Sequence, residues 1–463
     1  MSFLGPIARR GARGTLLRGP RVIDPAAGLD TTADVLLLPP TIDGNGRVLN
    51  DGAIVLDPAR VPAGVNVVEG RGLWALPGLV DLQVHFREPG QTHKEDLGTG
   101  SRAALAGGVT TVVVMPNTRP VLDDPVLVRA QGAIAASRGL ARVLVAAAAT
   151  RGSLGQIISD YRALKEAGAV AVTDDGLPVL DDEVMRTALV SCFANDLLFM
   201  QHAEDTRITR HVPMTLSAVS VAAGVEGQPA DAEGVIVERD IALALQTGAR
   251  YHVLHLSTAR SLRAVRHAKR QGGHVTCEVS PHHLLLTHDD VPRHAHARSP
   301  DDLDPNRKMN PPLRSEQDRL ALVAGLVDGT VDAVATDHAP HAADEKGQGF
   351  IKAPFGVTGL ETMLAALLTF VHDGSIDVRR AVELVTAGPA RVLHRQGQLG
   401  TLVGARAPAD LCLVDPSRAW QVGEGSVLSR SKNSCFLGRR FQGRVVMTFL
   451  RGRRAFELVG FSP

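Results

Sequence analysis

The sequence predicts an α/β protein, a (β/α)8 barrel with a small β-sandwich built from the two ends of the chain. Three observations predict it. Eight apolar, strand-like runs lie between residues 76 and 336, and helical patterns separate most of them. Short β segments broken by Pro, Gly and Asp fill the stretch before residue 76, and similar texture returns after Gly400. Polar residues stand at the C-terminal ends of the runs, where a barrel of this kind carries its chemistry.

The N-terminal part of the sandwich, 1–75, holds β segments at 15–17, 34–38, 52–56 and 65–68. The barrel spans 76–396. Its strands are expected at 76–85, 109–116, 142–149, 169–174, 197–202, 251–256, 274–280 and 331–336. Helical segments are expected at 98–106, 154–167, 181–194, 230–246, 259–271 and 315–327. The C-terminal part, 397–463, returns to β texture at 409–414 and 443–449.

The first strand is the richest. The apolar run 73–80 reads as a buried strand and leads into Asp81-Leu82-Gln83-Val84-His85-Phe86-Arg87-Glu88-Pro89-Gly90. Side chains two apart on a strand share a face, so Asp81, Gln83 and His85 should point one way and Leu82 and Val84 toward the helices. Two histidines at the spacing of Gln83 and His85 would make a metal clamp; here one of the two is Gln.

Composition excludes several classes. Fifty Lys and Arg nearly balance 49 Asp and Glu in 463 residues, so no global charge argues for nucleic acid. Aromatics at 3% count against a stacking platform for single strands. No stretch is long and apolar enough to span a membrane. Cys192, Cys277, Cys412 and Cys435 are far apart and form no CxxC, which fits a reduced, cytoplasmic protein. Residues 1–20 carry Arg9, Arg10, Arg13 and Arg18 and no acid. A transit peptide has that look, but a flexible basic arm is the reading taken.

A single strand-end His is ordinarily structural, but the joint pattern is different. His85, His202 and His255, with Asp175 and Asp337, bring imidazole and carboxylate from five strands to one mouth. Those donors suit zinc, and an open coordination position makes it catalytic. Two metals sharing a carboxylate can hold a hydroxide and polarise a carbonyl, and Asp175 or Asp174 can supply that bridge.

These residues resemble the amidohydrolase superfamily and, within it, the bacterial dihydroorotases. The likeness runs from about residue 77 to 415. It rests on 81–90, Gly107-Gly108-Val109-Thr110-Thr111, Met115-Pro116-Asn117-Thr118, Thr173-Asp174-Asp175-Gly176, His202-Ala203-Glu204-Asp205 and His255-Leu256-Ser257-Thr258. Later pieces are Lys308-Met309-Asn310-Pro311-Pro312-Leu313-Arg314, 336–341 and Ala353-Pro354-Phe355-Gly356.

The resemblance implies a zinc enzyme of pyrimidine (UMP) biosynthesis that interconverts N-carbamoyl-L-aspartate and L-dihydroorotate. One metal would be held by the first-strand histidines and Asp337, of which only His85 remains as a histidine; the other would be held by His202 and His255. The bridge falls on Asp175, and Asp337 would also be the catalytic acid–base. Arg87, Asn117 and His341 would grip the substrate carboxylate, with His85 beside them and Asn310, Phe355 and Gly356 around the ring. Hydantoinases and allantoinases resemble the chain more weakly. They place a carboxylated lysine at the end of the fourth strand, and 168–173 contains no Lys.

The departure is Gln83, whose neutral amide is a poorer zinc ligand than imidazole. Up to two zinc ions are expected, the site near Gln83 being weak. The alternative is a catalytically impaired dihydroorotase-like subunit that scaffolds aspartate transcarbamoylase. Retention of Arg87, Asn117, Asn310 and His341, which would serve no scaffold, favours activity. A homo-oligomer is expected, with aspartate transcarbamoylase a possible partner.

Three smaller features complete the reading. The His-rich stretch 288–306 is expected to be a solvated loop rather than a metal tract. His282 and His283 are expected to pack or to support the site. Residues 342–352, with Gly347 and Gly349, could form a flap over the mouth.

Overall fold

The structure, a computed structural model, describes residues 14–41, 43, 49–138 and 141–461. Most of the Arg-rich arm, including Arg9, Arg10 and Arg13, lies outside the described residues; Arg18 ends a strand, Thr15–Arg18.

Eight parallel strands follow one another around a ring: Leu79–Val84, Val109–Val114, Arg142–Ala148, Ala169–Thr173, Leu198–Gln201, Arg250–Val253, Val275–Val279 and Ala333–Val334. The ring closes where Val84 bridges His338 and the His85 N–H donates to the His338 carbonyl at 2.8 Å. A side chain pins the same seam. The buried Asp81 carboxylate accepts from the Thr336 N–H at 3.1 Å and the Thr336 hydroxyl at 2.5 Å.

Strands buried on both faces need two apolar layers. The outer one joins Leu79, Val84, Val112, Val172, Phe199 and Tyr251 to the helices through Met185, Leu189, Ile241, Leu262 and Leu326. The inner one is Val80, Leu82, Val113, Met115, Ala146, Ala171, Met200, Ala333 and Ala335, with Val392 and Leu399 joining the same cluster. Leu82 therefore faces inward, not toward the helices as simple alternation predicts. The pairing register shifts between Asp81 and Val84, and such an irregularity turns the following residues to the other face.

The predicted first strand is in fact two. Trp74–Pro77 belongs to an outer six-stranded sheet, and Leu79–Val84 to the barrel. The chain passes between them at Gly78, where a Cβ would come within 2.2 Å of Thr110 Oγ1. An unbroken apolar run hides this division, because both halves are buried.

The six-stranded sheet takes Arg21–Asp24, Leu29–Thr32 and Trp74–Pro77 from the N-terminal side and Leu411–Gln421, Arg440–Leu450 and Arg453–Glu457 from the C-terminal side. It packs on a four-stranded sheet of Thr15–Arg18, Val35–Leu38, Ala53–Leu56 and Asn66–Glu69 through Leu17, Val35, Leu37, Ala75, Leu411, Leu413 and Phe449. Arg21–Asp24, Leu29–Thr32 and Arg453–Glu457 escape sequence reading because they are short and carry charges that blur alternation. The helix expected at 154–167 is only Tyr161–Glu166. Gly152 and Gly155 hold left-handed turns, with φ of 64° and 69°, and the Asp160 carboxylate caps the later start by accepting from Ala163 N–H at 3.0 Å.

The C-terminal segment does more than complete a sheet. Val427, Cys435, Phe436 and Phe441 pack against Met309, Leu313, Phe350 and Val357, which draws residues 428–434 to the barrel mouth. All four cysteines are buried and free. Among the described residues no helix is long and apolar enough to cross a membrane.

Gly78→Ala should lower stability by about 1–3 kcal/mol, the usual cost of overpacking a buried contact, and so reduce the melting temperature. A variant melting with the parent would contradict the tight crossing at Thr110.

Candidate metal centre

The mouth gathers the five sequence-predicted ligands. The Asp175 carboxylate lies among three imidazoles: Oδ2 is 3.2 Å from His85 Nε2, and Oδ1 is 3.5 Å from His255 Nε2 and 3.8 Å from His202 Nδ1. His202 Nδ1 and His255 Nε2 face each other at 2.9 Å. On the other side Asp337 Oδ1 is 3.0 Å from His85 Nε2. All five side chains are buried. Burial alone would raise the Asp175 pKa, but the His255 hydrogen bond and the nearby imidazoles hold this carboxyl well below its usual range.

This donor chemistry fits a metal. Among the described residues, Asp175, His202 and His255 form the one group whose ligand atoms lie within 4.8 Å of one another. With one carboxylate oxygen toward each side, Asp175 has the disposition of a bridge. Asp174 does not: its oxygens are taken by the Thr150 N–H, at 2.9 Å, and the Thr150 hydroxyl.

Backbone conformation aims these groups. Arg87, His255 and Asp337 have φ of 58°, 30° and 48°, unusual for residues with side chains and concentrated here at strand ends. The turn after His255 is held by buried Glu233, whose carboxylate accepts from Ser257 N–H at 3.1 Å and Thr258 N–H at 3.0 Å.

The predicted substrate residues line the same mouth. Arg87 Nη2 lies 3.2 Å from His341 Nε2, and its Nε–H donates to the Pro340 carbonyl at 3.3 Å. Burial lowers the Arg87 pKa to about 10, so the guanidinium stays charged at neutral pH. Burial, and then the Arg87 charge, push the His341 pKa far down, leaving a neutral imidazole. Asn117 turns its Oδ1 to His85 Nδ1 at 2.8 Å, which orients the imidazole that faces Asp175 and Asp337. Asn310 Nδ2 lies 2.7 Å from Glu204 Oε2 and 3.2 Å from His202 Nε2. Gly356 (φ 127°) has no room for a side chain, since a Cβ would meet Ala339 Cβ at 2.7 Å. The Phe355 ring lies under the Lys308 ammonium at 4.7 Å.

Sequence reading missed the residues that hold these. Glu204 Oε2 is 3.0 Å from His202 Nε2 and fixes that ring. Burial opposes its charge, but the His202 hydrogen bond brings the Glu204 pKa down to about 2. Its place two residues after His202 was the available signal. Asn433 had none, since it lies 92 residues beyond His341. Its buried amide accepts from the His341 N–H at 3.1 Å and donates to the Ala339 and Gly356 carbonyls at 3.2 and 3.0 Å. Glu95, also buried, lies 3.5 Å from His338 Nε2.

The smaller features resolve as follows. Residues 342–352 are fastened down: Lys346 Nζ donates to the Pro354 and Gly356 carbonyls at 3.0 Å each and to Lys308 O at 3.3 Å. The stretch 288–306 is partly packed, burying Val291, Ala297 and Leu303, while His294 is exposed beside Asp302. His282 and His283 are buried, and His283 Nε2 donates to Pro311 O at 3.0 Å.

Comparison with known proteins places this arrangement. A family model described as Dihydro-orotase-like matches residues 72–261. The chain is 43% identical over 443 residues to a dihydroorotase of Anaeromyxobacter dehalogenans (strain 2CP-C), covering 95% of this chain and 97% of that one. It is 41% identical to a dihydroorotase of Citrifermentans bemidjiense, covering 96% and 99%. Among solved structures it resembles an L-hydantoinase (dihydropyrimidinase) from Arthrobacter aurescens, with TM-score 0.81 and 25% identity over 96% of this chain and 98% of that one. A dihydropyrimidinase from Brevibacillus agri, at TM-score 0.78 and 20% identity over 96% and 95%, shares the fold. Identity above 40% along nearly the full length of both chains shows that this chain belongs to the dihydroorotase family.

Proposed function

We propose that the chain is a cytoplasmic, zinc-dependent dihydroorotase that closes N-carbamoyl-L-aspartate to L-dihydroorotate and reopens the ring, in pyrimidine biosynthesis. The observation that carries the substrate is Arg87. Its guanidinium is buried, and no described carboxylate lies within ion-pairing distance of it; its hydrogen bonds go to a carbonyl and a neutral imidazole. A buried cation so placed is a receptor for an anion, and guanidinium pairs with carboxylate bidentately.

One zinc would be held by His202, His255 and Asp175, and a second, weaker one by His85, Asp337 and Asp175. Bound zinc supplies Lewis acidity toward the ring carbonyl and toward water. The residues do the rest. Arg87 and His341 hold the substrate carboxylate, with Asn117 beside it, and Asn310, Phe355 and Gly356 surround the ring. In ring opening Asp337 takes the proton of the attacking water. It then returns that proton to the ring nitrogen as the C–N bond breaks, and this nitrogen becomes the carbamoyl NH2. The reverse sequence closes the ring. A homo-oligomer and an association with aspartate transcarbamoylase belong to the same proposal. Arg87, Asn117, Asn310 and His341 around one mouth speak for an active centre rather than a scaffold alone.

Arg87→Lys keeps the charge and loses the fork. KM for dihydroorotate should rise by about tenfold to a hundredfold, the worth of a charge-assisted hydrogen bond, with kcat affected less. Faster hydrolysis of uncharged hydantoins than of dihydroorotate by the wild type would contradict the substrate assignment. Asp337→Asn should reduce kcat by about a hundredfold or more in both directions, as measured by ring-opening and ring-closing rates. Near-normal turnover would remove Asp337 from the proton path.

A further inference from the structure

We infer that Gln83 is an oxygen ligand of the centre, and that the centre is built for two unlike divalent cations. Zinc belongs on the His202–His255 side, and a harder, oxygen-seeking cation of the manganese type on the His85–Asp337 side. The inference rests on the metal-centre reading above and deepens it.

Gln83 is wholly buried, and neither its Oε1 nor its Nε2 has a hydrogen-bond partner among the described residues. A buried amide is costly to leave unpaired, so such a group calls for a partner. Its direction follows from its neighbours. Val84 packs in the outer layer with Leu79 and the helices, whereas the His85 imidazole reaches Asp175 and Asp337. The irregularity between Asp81 and Val84 breaks the alternation that Leu82 would impose; counted back from Val84, which is turned outward, and His85, which is turned to the mouth, Gln83 lies on the His85 side.

The donors then divide unequally. His202 Nδ1, His255 Nε2 and Asp175 Oδ1 give one side two nitrogens and one oxygen. His85 Nε2, Asp337 Oδ1, Asp175 Oδ2 and the Gln83 amide oxygen give the other one nitrogen and three oxygens. Imidazole suits zinc; carboxylate and carbonyl suit magnesium, calcium and manganese. Zinc binds more tightly than manganese at either kind of site, so the prediction concerns the ratio. Scarce zinc fills the nitrogen-rich side and leaves the oxygen-rich side to the harder ion. A histidine at 83 would give each side two nitrogens, whereas glutamine leaves this side with one.

The test is equilibrium dialysis of the metal-free full chain against one equivalent of Zn2+ with excess Mn2+, repeated for wild type and Q83H with two equivalents of Zn2+ so that the second site can take either ion. Elemental analysis and the Mn2+ electron paramagnetic resonance signal read the product. The wild type should hold one zinc and one manganese per chain. Q83H should raise the zinc-to-manganese ratio at the second site about tenfold or more, at least the effect of losing an outer partner of a metal ligand. Q83L, which removes both amide atoms, should keep zinc and lose manganese; a thermal melt of the metal-free protein checks its fold. Wild type and Q83L holding equal manganese, or a wild type taking none, would overturn the inference. No readout uses turnover. A chain that takes up both ions yet opens no dihydroorotate would overturn the activity alone, and a chain that binds neither ion would overturn both.

Discussion

The mouth of this barrel is organised by one buried carboxylate facing three imidazoles. Asp175 presents Oδ2 to His85 and Oδ1 to His202 and His255. A carboxylate out of water persists as an ion only with compensating partners, and those around it keep its pKa low. The rest of the site has to deliver those partners from three other strand ends. That explains why the supports are themselves polar and buried: Asn117 on His85, Glu204 on His202, and Glu233 under the turn after His255.

The same constraint reaches the far end of the chain. The closing turn after the eighth strand, which carries Asp337 and His341, is held by Asn433 and backed by Glu95 through His338. Asn433 can do this because the C-terminal segment packs its apolar residues against Met309, Leu313 and Phe350. Apolar burial there thus fixes a polar contact at His341, beside Arg87. Lys346 and Asn433 both donate to the Gly356 carbonyl, which holds the stretch read as a possible flap against the mouth.

Much of this was legible in the sequence, because strand ends in a barrel converge and the polar motifs sit at those ends. The five candidate ligands stood out that way, whereas the roles expected of Arg87, Asn117 and His341 came from the family resemblance. The choice between Asp174 and Asp175 needed coordinates, since only Thr150 shows which of them is already engaged. Asn433 was invisible because a contact between distant segments leaves no local pattern. Gly78 was misread for the opposite reason: an apolar run looks the same whether it lies in one sheet or two. The short helix at Tyr161–Glu166 shows glycine conformation and a capping Asp overriding helical periodicity.

The account stands on Asp175 serving both sides at once. Its most direct test is the metal content of Asp175→Asn, measured by elemental analysis after equilibration with zinc, on protein shown by thermal melting to be folded. If one carboxylate serves both sides, removing its charge should empty both, and metal per chain should fall well below that of the wild type on each side. A folded Asp175→Asn protein that holds as much metal as the wild type would contradict the shared carboxylate and the centre built on it.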